Sequence, residues 1–171
     1  MNGKRLSLAA MISLTMLTLW GIAGCSKNNS SSTTTTDGTM TATVNGTAYT
    51  AKAYVIAGYL TTYGQIIVQG DSINNKDTTE IQIAMPYPPP VNVPISTDST
   101  QFAAVTYIRG GVEYDAFNGY GNSHGVITLT TSDTVNHRVV GTFSGVVYST
   151  ALSTDSVVLT NGTFNSTYSV Q

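Results

Sequence analysis

The stretch "EIQIAMPYPPPVNVP" (80–94) decides the fold class, because it combines the period of a β-strand with a clear end to that strand. Apolar side chains occupy every second position from Ile81 to Tyr87. This alternation is typical of a strand with one buried face. All five prolines of the chain follow between positions 86 and 94. Since proline has no amide hydrogen for a β-ladder, this segment is predicted to run along an edge or to cross between sheets in the polyproline II conformation.

The rest of the region 39–171 repeats the pattern of short alternating runs separated by turns. Asn45-Gly46 and Gly110-Gly111 are predicted to be two-residue hairpin turns. Residues 47–60 are predicted to form one long strand or a bent pair, and "DSINNKDTT" (71–79) a polar turn. Further strands are predicted at 126–131, 137–150 and 156–170. The fold class is therefore all-β, as a single antiparallel β-sandwich or meandering β-barrel of about 8–10 short strands, with both architectures open.

Composition excludes several classes of function. The 171 residues include 7 Lys+Arg, 9 Asp+Glu and a single cysteine, and the formal net charge is −2. A nucleic-acid-binding protein would carry a basic stripe, which this sequence lacks. One cysteine cannot form an intramolecular disulfide, a CxxC redox pair or a cysteine-based zinc cluster. No cofactor is implied.

The first 25 residues have the pattern of an export signal. Lys4 and Arg5 precede an uncharged apolar run, which is typical of a secretory signal peptide. The run ends in Ile22-Ala23-Gly24-Cys25, which resembles the lipobox of bacterial lipoproteins. That resemblance implies cleavage between Gly24 and Cys25 and attachment of lipid to the Cys25 sulfur. The alternative is an uncleaved transmembrane anchor in which Cys25 has no role.

The predicted organisation is a removed signal peptide (1–24), a lipidated cysteine with a Ser/Thr-rich tether (25–38) and an all-β domain (39–171). The tether has no apolar residue and spans about 20 Å as a flexible chain. By analogy with enterobacterial lipoproteins, serine at position 26 indicates the outer membrane. Residues 27–29 are not acidic, which favours a periplasm-facing position over display at the cell surface.

Several motifs of the β-domain together resemble a family of uncharacterised lipoprotein domains of the Bacteroidota. The resemblance covers nearly all of 39–171 and implies the fold and the cell-envelope location, without an activity. The motifs are Val44-Asn45-Gly46 followed by Tyr49, "GVITLT" (125–130), "GTF" (141–143) and "NGTF" (161–164). Tyr49 replaces a more usual Trp, and Ser144-Gly145 follows where a bulky residue is usual.

Three groups of polar residues are candidates for chemistry, and a structural interpretation is favoured for each. His124 and His137 lie in or beside predicted turns, without a GxSxG elbow or a metal-ligand pattern. Glu113 and Asp115 share one strand face, as a glycoside hydrolase pair would, but a solvated hairpin edge is favoured. A polar turn offers oxygen donors without the spacing of a calcium loop: Asp71, Asn74, Asn75 and Asp77. No catalytic or metal-binding residue is therefore assigned, and the protein is predicted not to be an enzyme.

Two sets of residues are candidates for recognition or modification. Aromatic rings beside amides suit glycan or peptide binding, although tyrosine on a strand also packs in cores. The predicted ligand surface consists of Tyr107, Arg109, Tyr114, Asn118, Tyr120 and Asn122. Five Asp-Ser/Thr dipeptides resemble the O-glycosylation motif of exported Bacteroidota proteins, and ordinary turn chemistry is the alternative. The modified residues would be Ser72, Thr78, Ser99, Thr134 and Ser156.

These observations together predict a lipid-anchored outer-membrane lipoprotein. Its β-domain would act without catalysis, by binding or assembly with a glycan or protein partner. The alternatives are a glycan-binding accessory lipoprotein and a hydrolase.

Overall fold

The computed structural model describes residues 38–51, 54–60, 64–74, 77–98, 103–117, 122–152 and 154–170, with the backbone alone for 54–60, 73–74 and 77. These residues form strands, turns and irregular segments. Within these ranges no helix has the length and apolar character needed to cross a membrane.

The described part of the chain is all-β, as predicted, and its eleven strands exceed the expected number. They are β1 (Thr39–Val44), β2 (Thr47–Thr50), β3 (Tyr54–Leu60), β4 (Gln65–Asn74), β5 (Asp77–Pro86), β6 (Ile95–Ser96), β7 (Ala104–Arg109), β8 (Val112–Phe117), β9 (His124–Asp133), β10 (Arg138–Ser149) and β11 (Ser156–Val170).

The strands form one eleven-stranded sheet with the order β2-β1-β11-β3-β4-β5-β7-β8-β10-β9-β6, in which β11 also pairs with β10. The end of β11, Tyr168–Val170, pairs in parallel with β3, and the end of β10, Tyr148–Ser149, pairs with β8. Because β10 and β11 are antiparallel, these two pairings lie at opposite ends of this strand pair. The sheet therefore nearly closes on itself, as in a barrel. We call β2, β1, β11, β10, β9 and β6 the first half of the sheet and β3, β4, β5, β7 and β8 the second half.

The core follows the alternation seen in the sequence. Ile81, Ile83 and Met85 of β5 are fully buried, as are the alternate residues Val139 and Val147 of β10. The buried cluster of the described residues draws its members from every strand except β3, of which only the backbone is described, and it extends from Met40 to Tyr168. The domain thus has a hydrophobic core of its own, and a domain of this size is stable without a disulfide.

The "GTF" and "NGTF" motifs pair with each other in the sheet. Gly141 lies opposite Phe164, and Phe143 lies opposite Gly162. A Cβ on Gly162 would lie 2.6 Å from the ring of Phe143, and one on Gly141 would lie 2.7 Å from the ring of Phe164. Each glycine therefore makes room for the aromatic ring of the other motif, and these residues serve packing.

The "VNG" motif forms the predicted hairpin turn and also joins it to β11. Asn45 and Gly46 have positive φ, at 47° and 81°. The amide of Asn45 donates to the Val158 carbonyl at 2.9 Å, and its side-chain oxygen accepts from the Val158 amide at 2.8 Å. Tyr49 is buried and its hydroxyl donates to the Gly70 carbonyl at 2.5 Å.

Three further predictions from the sequence are confirmed and one needs correction. Gly110-Gly111 forms the β7–β8 turn, and residues 87–94 form no strand beyond an isolated bridge at Val91. Of the two alternatives for the segment 47–60, a pair of strands is observed: β2 pairs with β1, while β3 pairs with β4 and β11. The predicted polar turn at 71–79 is corrected, because β4 and β5 pair from Asp71 and Glu80 as far as Asn74 and Asp77.

Candidate functional surfaces

The predicted ligand surface is only partly an exposed surface. Tyr107 and Tyr114 lie opposite each other on β7 and β8, with ring centroids 6.0 Å apart. Tyr107 is 5% exposed, and burial raises the pKa of its hydroxyl. Arg109 and Asn122 are exposed, while Asn118 and Tyr120 lie outside the described residues. The expectation of a stacking platform is therefore corrected at Tyr107, whose ring packs in the core because it lies on the inward face of β7.

Tyr114 uses its hydroxyl to join two segments of the fold. It donates to Asp155 Oδ2 at 2.8 Å, and this hydrogen bond raises the pKa of the tyrosine. Asp155 directly precedes β11, so the contact links the β7–β8 hairpin to the β10–β11 connection. The hydrogen bond to Asp155 thus gives Tyr114 a structural role.

Four carboxylates lie on the outward side of the second half of the sheet, and we call this surface the carboxylate face: Asp71, Glu80, Glu113 and Asp115. Asp71 lies opposite Glu80, and Ile108 connects Glu80 to Glu113 across the adjacent strands. Asp115 lies opposite Thr106 on one side and Tyr148 on the other. Residues far apart in sequence are thereby brought to one surface.

Asp115 is buried, which corrects the expectation of a solvated hairpin edge. It is 5% exposed, and Thr106 Oγ1 donates to its carboxylate at 3.1 Å. The pKa of Asp115 is raised to about 7: burial is the largest cause and Glu113 adds to it, while the hydrogen bonds from Thr106 and the Ala116 amide act in the opposite direction. Since a carboxylate loses hydration in such a site, its neutral form is favoured. Asp115 therefore changes protonation near neutral pH.

Two glutamines donate hydrogen bonds to Glu80 and Asp71. The Gln82 amide donates to Glu80, and the Gln69 amide donates to Asp71 Oδ1 at 3.2 Å. Burial still raises the pKa of Glu80, and Asp71 and Glu113 add to that effect. Among the described residues, no group of three or more His, Cys, Asp or Glu side chains is arranged to hold a metal ion. These carboxylates can accept hydrogen bonds, and Glu80 and Asp115 keep a proton at a higher pH than an ordinary carboxylate does.

The outward side of the first half of the sheet carries a row of threonines across five strands, and we call it the threonine face. Thr41 lies opposite Thr50 and Thr163 on its two sides. Thr142 lies opposite Thr163 and Thr128 on its own two sides. The central row is therefore Thr50, Thr41, Thr163, Thr142 and Thr128. On one side of this row Thr43 lies opposite Ala48 and Thr160, and Ser144 lies opposite Val126. On the other side Asn165 lies opposite Thr39 and Val140, and Val140 also lies opposite Thr131. Register shifts interrupt the rows between Thr41 and Thr43, between Phe143 and Gly145, and between Val140 and Gly141.

Three of these threonines are central residues of the sequence motifs. Thr128 belongs to "GVITLT", Thr142 to "GTF" and Thr163 to "NGTF". The glycine and phenylalanine neighbours are explained by packing, whereas the threonines are exposed or half-buried and face outward. Thr163 and Thr41 share a hydrogen bond of 2.8 Å between their Oγ1 atoms. The outward positions of the motifs thus form one surface.

The predicted O-glycosylation residues have different surroundings. Thr134 is exposed in the turn after β9, Thr78 is exposed within β5, and Ser156 is half-buried at the start of β11. Ser99 lies outside the described residues. Ser72 corrects the expectation of an accessible turn, because it is 3% exposed within β4 and a transferase cannot reach it in the folded chain.

The turn that contains Thr134 supports the alternative explanation of its Asp-Thr dipeptide, which is ordinary turn chemistry. Asp133 Oδ1 accepts hydrogen bonds from the Val135 amide at 2.9 Å and the Asn136 amide at 2.8 Å. The hydrogen bonds from Asn136 hold the pKa of Asp133 below its ordinary value. The Asp-Thr dipeptide therefore has a structural reason at this site.

The remaining candidates are scattered over the surface. His124 begins β9 and is exposed, and His137 is exposed in a turn, where its ring stacks on Tyr168 at 5.1 Å. Asp71, Asn74 and Asp77 belong to β4 and β5 instead of a loop, and Asn75 lies outside the described residues. Residues 1–37, which include Gly24 and Cys25, also lie outside them.

Sequence reasoning missed Glu80 and the threonine face. Glu80 joins the other carboxylates only through strand register, which a single sequence does not reveal. The threonines did leave a signal, since "TMTAT" and "TLT" place threonine at every second residue. Comparison of the chain with family models, curated proteins and solved structures finds no match.

Proposed function

We propose that this protein is a lipoprotein of the outer membrane, anchored through Cys25 and facing the periplasm, whose β-domain acts by binding or assembly without catalysis. One observation carries the proposal: a basic start and an apolar run lead directly to Ile22-Ala23-Gly24-Cys25. The position of the fold supports it, because β1 begins at Thr39, after a polar segment long enough to separate a domain from the headgroups. The attached acyl chains would supply the membrane affinity, since each buried CH₂ contributes about 0.8 kcal/mol.

The test is labelling of the chain with palmitate in a Gram-negative host, compared with Cys25→Ser. The unmodified chain is expected to incorporate label, to lose residues 1–24 and to sediment with the outer membrane. Cys25→Ser should do none of these, while the matched control Ser26→Ala should be labelled and processed. A Cys25→Ser variant with the same mass and the same membrane fraction as the unmodified chain would contradict the proposal.

Support for binding comes from the surfaces of the β-domain. The motif residues that face inward are explained by packing and hydrogen bonding. The threonines of the threonine face, two of which hydrogen-bond to each other, are exposed or half-buried and form a surface that is open to a partner. A glycan platform at the β7–β8 hairpin has less support, because Tyr107 is buried and the Tyr114 hydroxyl is bonded to Asp155.

Hydrolysis is the second candidate, and one observation favours it. Asp115 has a pKa of about 7 and lies two residues from Glu113 on the same strand face. General acids and bases are tuned to such values. The test is hydrolysis of envelope polysaccharides by the purified chain and by Asp115→Asn. Turnover that disappears in the variant would support an enzyme, and equal product with and without protein would remove this candidate.

A further inference from the structure

The end of the domain at which β1 begins is the end from which the predicted tether leaves. Thr39 lies opposite Asn165 of β11, near the end of that strand at Val170. Arg138, the first residue of β10, lies opposite Thr167 of β11. The turn between β9 and β10 is therefore at the same end, and we call this end of the domain the tether end.

The Pro-rich segment starts at the tether end as well. The amide of Tyr87 donates to the Gly64 carbonyl, directly before β4, at 2.8 Å. β4 starts beside the end of β3, which pairs in parallel with the end of β11. The rings of Tyr87 and His137 both lie against the ring of Tyr168, at centroid distances of 6.4 Å and 5.1 Å. The start of β1, the β9–β10 turn, the end of β11 and the first prolines thus form one surface.

Large apolar side chains of the tether end are exposed to solvent. Val135, in the β9–β10 turn, is 86% exposed, more than any other large apolar residue of the described chain, and Val170 is 53% exposed. Val91, Pro88 and Pro90 are exposed on the neighbouring Pro-rich segment. Transfer of such groups out of water is favourable. The domain therefore offers an apolar surface at the point where the chain continues toward the membrane anchor.

The charged groups of the tether end are compatible with lipid phosphates. Among the described residues they are Asp133, His137 and Arg138. The Asp133 carboxylate is engaged by its own turn, where it accepts hydrogen bonds from the Val135 and Asn136 amides at 2.9 Å and 2.8 Å. Arg138 is exposed, and a guanidinium can bind a phosphate through two parallel hydrogen bonds.

The opposite end of the domain is acidic. β11 begins there, and the β7–β8 turn lies beside the β10–β11 turn, because the Thr150 amide donates to the Glu113 carbonyl at 3.0 Å. The carboxylate face and Asp155 lie toward this end, with Arg109 as the one described cation. Leu152 is 65% exposed here, but it stands among carboxylates, which lipid phosphates repel. The two ends are thus similar in apolar exposure and different in charge.

We propose that the tether end is a docking surface for a phospholipid bilayer. Val135, Val170 and the first prolines of the Pro-rich segment enter the boundary between headgroups and acyl chains. Arg138 binds headgroup phosphates beside them. The domain then stands on the membrane with its carboxylate face and Leu152 directed away from the lipid.

The predicted tether makes a weak contact sufficient. A contact of a few side chains is weak by itself, but a short flexible linker holds its two ends at a high effective concentration. The predicted tether, residues 25–38, is a linker of this kind and spans about 20 Å. The acyl chains keep the tether end close to the bilayer, and the docking surface fixes the orientation of the domain. This inference rests on the proposed anchor and deepens it by assigning the side of the domain that faces lipid.

The experiment attaches residues 25–171 through Cys25, the only cysteine, to a maleimide lipid in vesicles of phosphatidylethanolamine and phosphatidylglycerol. These residues contain no tryptophan, so Val135→Trp and Leu152→Trp are single fluorescent reporters in exposed turns at the two ends. The 15 residues of β11 separate the ends by about 45 Å, so a quencher inside the bilayer can reach only one of them.

The two reporters are expected to differ. With brominated acyl chains in the vesicles, the Val135→Trp emission should shift to shorter wavelength and be quenched, whereas the Leu152→Trp emission should match that of the protein in solution. Addition of Val170→Asp to the Val135→Trp reporter should lower the ratio of docked to undocked protein by about tenfold. The matched control Val158→Asp, on the same strand toward the opposite end, should leave this ratio unchanged.

Two outcomes would overturn the inference. One is equal quenching of the two reporters, or quenching of neither, with Val170→Trp as a second reporter at the tether end. The other is an equal effect of Val170→Asp and Val158→Asp. Circular dichroism shows that each variant is folded. Because the attachment to the vesicle is chemical, either outcome would leave the lipidation of Cys25 standing, and a docked chain that takes up no palmitate in a host would overturn the anchor alone.

Discussion

Replacement of Asp115 by asparagine should make the β-domain more stable in neutral and alkaline solution. The carboxylate is buried beside Glu113, and its pKa in the folded chain is about 7, against an ordinary value of 3.8. The folded chain therefore retains a proton that the unfolded chain releases between these two pH values. Stability falls as pH rises through this window and is constant above it. Asparagine has nearly the same shape and can still accept the hydrogen bond from Thr106.

The magnitude follows from the difference between the two pKa values. One pKa unit corresponds to 1.36 kcal/mol, so ionisation of Asp115 lowers the free energy of unfolding by about 4 kcal/mol as an upper limit. Glu80 contributes with the same sign, because burial raises its pKa as well. Ionisation of Asp133 has the opposite effect on the free energy of unfolding, since the pKa of this residue is lowered. The stabilisation is lost as the pH falls below the ordinary pKa of 3.8.

The assay is urea unfolding of residues 26–171 at several values from about pH 4 to about pH 8, followed by circular dichroism. The only tryptophan, Trp20, lies in the predicted signal peptide, so tryptophan fluorescence is not a probe of this domain. Asp115→Asn should match the unmodified chain near pH 4 and exceed it near pH 8. The control is Asp98→Asn, whose side chain is exposed. Parallel curves for Asp115→Asn and the unmodified chain over the whole window would refute the reasoning.

Two packing predictions accompany this one. Gly162→Ala should lower the free energy of unfolding by about 1–3 kcal/mol, because the new Cβ would lie 2.5 Å from the Phe143 carbonyl oxygen. The control is Ser144→Ala, whose side chain faces outward. An equal loss of stability in both variants would contradict the argument. Tyr49→Phe should cost about 1–2 kcal/mol through loss of the hydrogen bond to the Gly70 carbonyl, measured by thermal unfolding; no change in the midpoint would show that this bond has no net value.

Local patterns predicted the elements of this fold better than their arrangement. The alternation in β5 and the glycine turn between β7 and β8 depend on neighbouring residues, and the structure confirms both. The separation of β2 and β3 within the sheet depends on β11, about a hundred residues later, which pairs with β1 on one side and with β3 on the other. No property of a single segment encodes such a pairing.

The burial of the candidate functional groups also depends on long-range pairing, which a single segment does not encode. Two carboxylates spaced by one residue predicted a shared face for Glu113 and Asp115, which the register confirms. Their hydration was not predictable, because Asp115 lies beside Tyr148 of a distant strand, and Glu80 and Glu113 interact only through β5 and β7. For Tyr107 the sequence left core packing and an exposed ring as alternatives, and only the position of β7 on the core decides between them.

The three pairings of β11 have a consequence for export. β11 is hydrogen-bonded to β1, β10 and β3, and it follows all of them in the chain. The sheet therefore cannot close before this last strand is available, and such long-range contacts make folding slow. In the lipoprotein proposed above, this order of strands would leave the domain open while the chain is exported, so that residues 1–24 would be removed and Cys25 modified before the domain folds.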